Sequence, residues 1–296
     1  MQETPVTTLA EHFGDLEDAR ADSVSHRMLD MIVMAICAVI CGADTWVEVE
    51  IFGKAKRDWL NHFLELPHGI PSHDTFGRVL WLLDADAFRD CFVDWVEAIS
   101  DLMDGEVGAI DGKNSRRSHD RTIGKEAIEL VGAWTSDNRL VLGHEKVDDE
   151  SNEITAVPPL LELLALTGCI VTVDAIGCQT TIAEKIIDAD ADYVLLLKQN
   201  QERLYGIIED RFNDPDEMDA VRSHREIENK VHWVLDVAFR EDESRVRQGN
   251  AAQNLSLLRH IALNLLKQEK TAQCGTKAKR LKARRDPDYL LKVVSG

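Results

Sequence analysis

The sequence predicts an α/β protein in which a small all-helical region precedes a larger unit built on a mixed sheet. Three observations carry that expectation. From residue 25 to 100 apolar residues recur at helical spacing, and strand-like alternation is missing. Beyond residue 105, short apolar runs alternate with helical stretches, and two of the runs end in an acid. The last 30 residues carry a basic bias of their own, which divides the chain into 1–104, 105–266 and 267–296. At 44% hydrophobic and 29% charged residues, the 296-residue chain can bury a sizeable core and is neither disordered nor fibrous in composition.

Taken in order, the first strong element is Met31 to Ala43. This apolar run of thirteen residues falls short of the about 20 that a membrane span needs, so it reads as a buried helix. Glu11, Asp15, Glu17 and Asp18 lie ahead of it, where a secretory signal would place basic residues and an apolar stretch. A cytoplasmic protein with no membrane partner is expected. The six cysteines form no C-x-x-C pair and no metal-type cluster, which makes them reduced, buried thiols. Thr45 to Phe63 reads as an amphipathic helix with Trp46, Val49, Phe52 and Trp59 on it. After the breaker string Leu66-Pro67-His68-Gly69-Ile70-Pro71, Ser72 caps a second helix to about Leu83. The pair is either a helix-turn-helix or part of an ordinary bundle, and Arg78 is the only basic residue on its second helix.

The sheet begins at Val107-Gly108-Ala109-Ile110-Asp111. Glu129 to Trp134 and Arg139 to Glu145 follow as strands joined by the turn Ser136-Asp137-Asn138. A helix from about Thr155 to Leu166 has Pro158 near its start. Cys169 to Asp174 is a strand, Thr180 to Ile187 a helix, and Tyr193 to Leu197 a last strand. That succession makes a three-strand meander followed by parallel strands added through right-handed crossovers.

With 53 acids against 34 Lys and Arg the net charge is −19, which excludes a uniformly basic coat for nucleic acid. Positive charge is instead concentrated. Lys113 to Lys125 holds five basic residues and one acid, and Lys267 to Gly296 holds nine and three.

Asp111 and Asp174 each end an apolar strand, where open α/β sheets place ligands. On neighbouring strands they would face each other across roughly 5 Å, a geometry that holds Mg²⁺ or Mn²⁺ through carboxylate oxygens. Either one alone is as readily a turn cap. A third acid is sought on a helix, and Glu228, His232 and Asp236 recur at four-residue intervals; that spacing also describes a solvated charged face.

The strings Ala109-Ile-Asp-Gly-Lys113, Thr172-Val-Asp-Ala-Ile-Gly-Cys-Gln179, Ile227-Glu-Asn229, His232-Trp-Val-Leu-Asp-Val237 and Phe239-Arg-Glu-Asp242 occur together. So do Ile70-Pro-Ser-His-Asp-Thr-Phe-Gly-Arg78, Ser151-Asn-Glu-Ile-Thr155 and Ala262-Leu-Asn-Leu-Leu-Lys267. With them the chain resembles the H-repeat-associated family, insertion-sequence transposases of the DDE superfamily, from about Phe13 to the C-terminus. The resemblance implies a ribonuclease-H-like catalytic domain behind a helical transposase-associated domain, with Asp111, Asp174 and Glu228 as catalytic, metal-holding carboxylates. It implies Mg²⁺- or Mn²⁺-dependent DNA cleavage at the ends of a mobile element and strand transfer into target DNA, both in-line phosphoryl transfers. DNA contacts are implied for Lys113, Arg116, Arg117, Lys198, Gln201, Arg222 and His224, and a homodimer for pairing two ends at the nucleoid. Two departures stand out: Lys198 reaches Glu228 in 30 residues, where relatives carry a longer, strand-rich insertion, and Arg225 replaces a family tryptophan. They leave open a shortened relative that binds element DNA as a regulator, or a decayed gene product.

Overall fold

A computed structural model describes residues 7–20, 24–100, 105–115, 128–135, 139–147, 151–202, 205 and 233–295. They group into two compact units, one from residues up to Trp95, Ser115 and residues from Val234 on, the other from Val96–Asn114 and Ile128–Trp233, which holds all of the first strand but its last residue.

The first unit is helical, with α1 (Thr7–Phe13), α2 (Met28–Ile40), α3 (Trp46–Ala55), α4 (Arg57–Leu60), α5 (His73–Leu82) and most of α6 (Ala85–Ile99). From the C-terminal part it takes α9 (Trp233–Phe239, all but its first residue), α10 (Ala251–Gln268), α11 (Thr276–Arg285) and α12 (Pro287–Ser295). Every residue of α2 is buried, as its unbroken apolar run demands, and α10 lies against it. Each buried Ile, Val or Met contributes about 1.5–3 kcal/mol. The ends of these helices are closed by side chains. Thr45 Oγ1 accepts from Glu48 N (3.3 Å) while Glu48 Oε2 accepts from Thr45 N (3.0 Å), a reciprocal cap on α3. Ser72 Oγ accepts from Thr75 N (3.3 Å) at the start of α5. At its other end Asn254 Nδ2 donates to the carbonyls of Leu80 (2.8 Å) and Leu83 (3.0 Å).

Two expectations for this unit change. The helix expected over Thr45 to Phe63 breaks at Lys56, whose φ of −113° and ψ of 16° leave helical geometry. With α4 and a loop between α3 and α5, the connection is far longer than the 3–4-residue turn of a helix-turn-helix. The stretch set apart as a basic tail folds into α11 and α12, with Ala283, Tyr289, Leu290, Val293 and Val294 buried. Arg280 donates to the carbonyls of Val39 (2.7 Å) and Ile40 (3.3 Å), closing the C-terminal end of α2 where positive charge is favoured.

The second unit is a five-stranded sheet in the order β3-β2-β1-β4-β5, formed by β1 (Val107–Ser115), β2 (Ile128–Thr135), β3 (Val141–Lys146), β4 (Ile170–Val173) and β5 (Asp192–Leu195). β2 and β3 are antiparallel, whereas β4 is parallel to both β1 and β5. This is the meander-then-parallel order the sequence predicts, and the protein is a mixed α/β structure. Helix α7 (Glu153–Leu163) packs on β2 and β3, and α8 (Thr180–Asp188) on α7 and β5. The thiols are free: Cys37, Cys41 and Cys169 are buried as expected, Cys91 and Cys178 partly so, and Cys274 is exposed. Among the described residues no helix is long and apolar enough to cross a membrane.

Candidate active site

Ile110 of β1 stands opposite Val173 of β4, so Asp111 and Asp174 follow at the same level on adjacent parallel strands. Neighbouring strands lie about 4.8 Å apart, which brings the two carboxylates to one end of the sheet. Both carboxylates also serve their own turns. Asp111 Oδ1 accepts from Gly112 N (2.9 Å), and Asp174 Oδ1 accepts from Ile176 N (2.9 Å) and Gly177 N (3.4 Å). The turn-cap reading therefore holds for one oxygen of each residue. Asp174 Oδ2 makes no hydrogen bond to a described residue.

A third acid joins them that sequence reasoning passed over. Helix α7 starts at Glu153, two residues ahead of the expected Thr155, because Asn152 Oδ1 accepts from Ile154 N (3.1 Å) and caps it. Glu153 thus falls in the first turn and leans over β1: a Cβ on Gly112 would lie 2.1 Å from its Oε1, so a larger residue there would push the carboxylate aside. With Asp111 and Asp174 it lines a recess of about 10 Å³, close to the room one water or ion takes. Burial, a hydrogen bond with Glu129, and the charges of Glu129, Asp111 and Asp174 together push the Glu153 carboxyl up to about 7. The helix N-terminus favours a negative charge there by about 0.3–1 kcal/mol, and burial with the other acids outweighs it. The signal was present in the string Ser151-Asn-Glu, a helix cap followed by an acid.

Of the other expected site residues, Lys113 lies two positions along β1 from Asp111. Lys198 is exposed just past β5. Gln201 Nε2 donates to Cys178 O (3.1 Å), which ties the segment after β5 to the loop after β4. Glu228, Arg116, Arg117, Arg222 and His224 lie outside the described residues, as does His232 of the proposed helical face. Among the described residues no group of three or more His, Cys, Asp or Glu is arranged to hold a metal ion.

Comparison with known proteins adds the family. A family described as DDE_Tnp_1-associated matches residues 10–96, and one described as Transposase DDE domain matches residues 102–265. "H repeat-associated putative transposase YhhI" of Escherichia coli (strain K12) is 32% identical over 369 aligned positions, covering 97% of this chain and 98% of that protein. YncI of Escherichia coli O157:H7, also named as a transposase, is 33% identical over 371 positions, covering 98% and 95%. Both alignments are longer than the 296 residues of this chain, so the relatives carry residues that it lacks. A piggyBac transposase chain from a synaptic complex with hairpin DNA aligns over 97% of this chain and 76% of its own, at 10% identity and a TM-score of 0.47, a likeness on which nothing further rests. On the strength of the two family matches and these near-full-length relatives, the chain belongs to the DDE transposase family, among its H-repeat-associated members.

Proposed function

We propose that the protein is a DNA transposase that cleaves phosphodiester bonds at insertion-element ends and transfers the freed 3′ end into target DNA. The observation that carries this reading is the level placement of Asp111 and Asp174 on adjacent parallel strands. In this reading Asp111, Asp174 and Glu228 are the catalytic carboxylates and would hold Mg²⁺ or Mn²⁺. The donor set fits such a hard cation, since it offers carboxylate oxygens without sulfur or imidazole. The excess of negative charge that lifts Glu153 is of the kind a divalent ion offsets. Bound there, the ion would supply Lewis-acid stabilisation of charge on the phosphate oxygens. The chain's own part is to fix Asp111 and Asp174 at the ends of two paired strands and to hold the DNA backbone, with Lys113, Arg116, Arg117, Lys198, Gln201, Arg222 and His224 as contacts. Two protomers would pair two element ends.

A second reading is a shortened relative that binds element DNA and regulates intact copies. The lengths of the alignments favour it, because residues of the relatives are missing here. One experiment separates the two. The protein is incubated with labelled element-end DNA with and without Mn²⁺, beside Asp111→Ala. A transposase gives metal-dependent product that the variant loses by more than about 100-fold, beyond the effect of removing an outer-shell partner. A shifted band without product in any lane sinks the catalytic reading and leaves the regulator.

A further inference from the structure

The helical unit contains a cavity of about 860 Å³, within the 300–1,000 Å³ range of small-molecule sites, for which the sheet chemistry has no use. Trp46 and Trp81 line it from α3 and α5. Trp81 is 47% exposed, and only the pyrrole edge of its indole is engaged by Gly249, where a Cβ would come within 1.9 Å of Cδ1. Gly249 has a φ of +47°, so a larger residue there would be strained by the backbone as well as crowded against the indole.

The cavity is lined by four acids and four arginines, but they are not paired one to one. Its four acids are all engaged inside the protein: Glu48 accepts from the backbone of Asp44 (2.7 Å) and Thr45 (3.0 Å), Asp44 and Glu243 pair with Arg240, and Asp74 lies 3.4 Å from His73 Nε2. Arg78 and Arg245 also line the cavity, are exposed, and have no acidic partner among the described residues. Two unmatched guanidinium groups beside two indoles make a site for an aromatic anion whose rings stack and whose phosphates pair with arginine. A cavity of this size admits nucleotides splayed out of a stack and not a duplex, whose bases face inward.

We propose that this cavity binds single-stranded DNA, with bases against Trp46 and Trp81 and backbone phosphates on Arg78 and Arg245. The site is built from the helical unit alone and goes beyond the transposase reading, since it requires no catalysis. The test uses the full chain and a fluorescein-labelled twelve-residue oligo-thymidine followed by anisotropy at several salt concentrations. The Arg78→Gln/Arg245→Gln double variant is expected to weaken binding about tenfold or more. It should also flatten the slope of log affinity against log salt by about 1.4, at about 0.7 per lost phosphate contact. Trp81→Ala should weaken binding about 5- to 100-fold, with Trp81→Phe within about threefold of wild type. Wild-type affinity in both the arginine and the alanine variants overturns the proposal, as does a phenylalanine variant no better than alanine. A measurement that needs no variant is photocrosslinking of an iodouracil-bearing oligonucleotide to the wild-type chain. Adducts at Trp46 or Trp81 support the site, and adducts confined elsewhere overturn it. Metal-dependent nicking without such adducts sinks the cavity and spares the transposase reading; adducts without nicking do the reverse.

Discussion

The two units treat a glutamate in opposite ways. Glu269, just past α10, is buried and ringed by donors: Thr271 N (2.8 Å) and its hydroxyl on Oε1, Tyr289 Oη (2.7 Å) and Ala272 N (3.3 Å) on Oε2, and Lys279 Nζ 3.7 Å away. Burial opposes its charge, yet the hydrogen bonds from Thr271, Tyr289 and Ala272 win and hold its carboxyl down at about 2. Glu153 is less buried and is surrounded by carboxylates, which help to lift it to about 7. An acid among donors belongs to the scaffold. An acid among acids costs stability, and such costs collect where a site requires them.

The largest expected effect lies on the scaffold side of that contrast. Glu269→Ala leaves the buried Lys279 without its carboxylate and should cost about 3–5 kcal/mol. Hydrogen exchange should then show protection lost from α10 to α12 and kept in the sheet, and equal losses in both units would break the comparison. The same group sets an acid limit. Its folded pKa lies below the unfolded value, so its contribution is present above about pH 4.5 and is lost as pH falls through about 2. Next in size is Asn254→Ala, which strips the Leu80 carbonyl of its buried donor, while Asn250 Nδ2 (3.0 Å) still serves Leu83, and should lower stability by about 1–3 kcal/mol in a thermal melt. An unchanged melting temperature would mean that the Leu80 carbonyl finds another donor.

The smallest effect has the opposite sign. Because the Glu153 carboxyl is raised above its unfolded value, its protonated form stabilises the fold below about pH 4.5, and this is lost as pH rises through about 7. With solvent screening discounted, Glu153→Gln in EDTA should stabilise the protein by about 1 kcal/mol at pH 8 and by almost nothing at pH 5. Equal melts for variant and wild type at pH 8 would show that Glu153 is not under strain, and the two glutamates would no longer differ in kind.

Where the sequence was legible, short-range physics decided the outcome. The buried α2 follows from an uninterrupted apolar run, the start of α5 from Ser72, and the strands ending at Asp111 and Asp174 from apolar runs that stop at an acid. The neighbouring of β1 and β4 was a condition rather than a reading, since the register pairs residues 63 positions apart, as Val107 with Ile170. The break at Lys56 left no trace because neither glycine nor proline marks it. Glu153 was missed for a different reason. Its place depends on Asn152 capping the helix early, and its meaning depends on Gly112, far away in the chain. The buried polar side of α10 was illegible too, since the partner of Asn254 lies 174 residues earlier and Glu241, which accepts from Ser256 Oγ (2.8 Å), precedes the helix.

The bond from Arg280 to Ile40 spans 240 residues, and its consequence is one of timing during synthesis. At about 5–20 residues per second, the ribosome needs roughly 10–50 s between making the end of α2 and making the arginine that closes it. Until Gln268 is made, α2, whose residues are all buried in the finished fold, lacks the α10 surface that covers it, and until Arg280 is made it lacks the side chain that closes its C-terminal end. The five-stranded sheet, drawn from residues between those two segments, has all its strands before the helical unit has its last helices. The helical unit is therefore first to be started and last to be finished. On the nascent chain, α2 is the surface most in need of a chaperone.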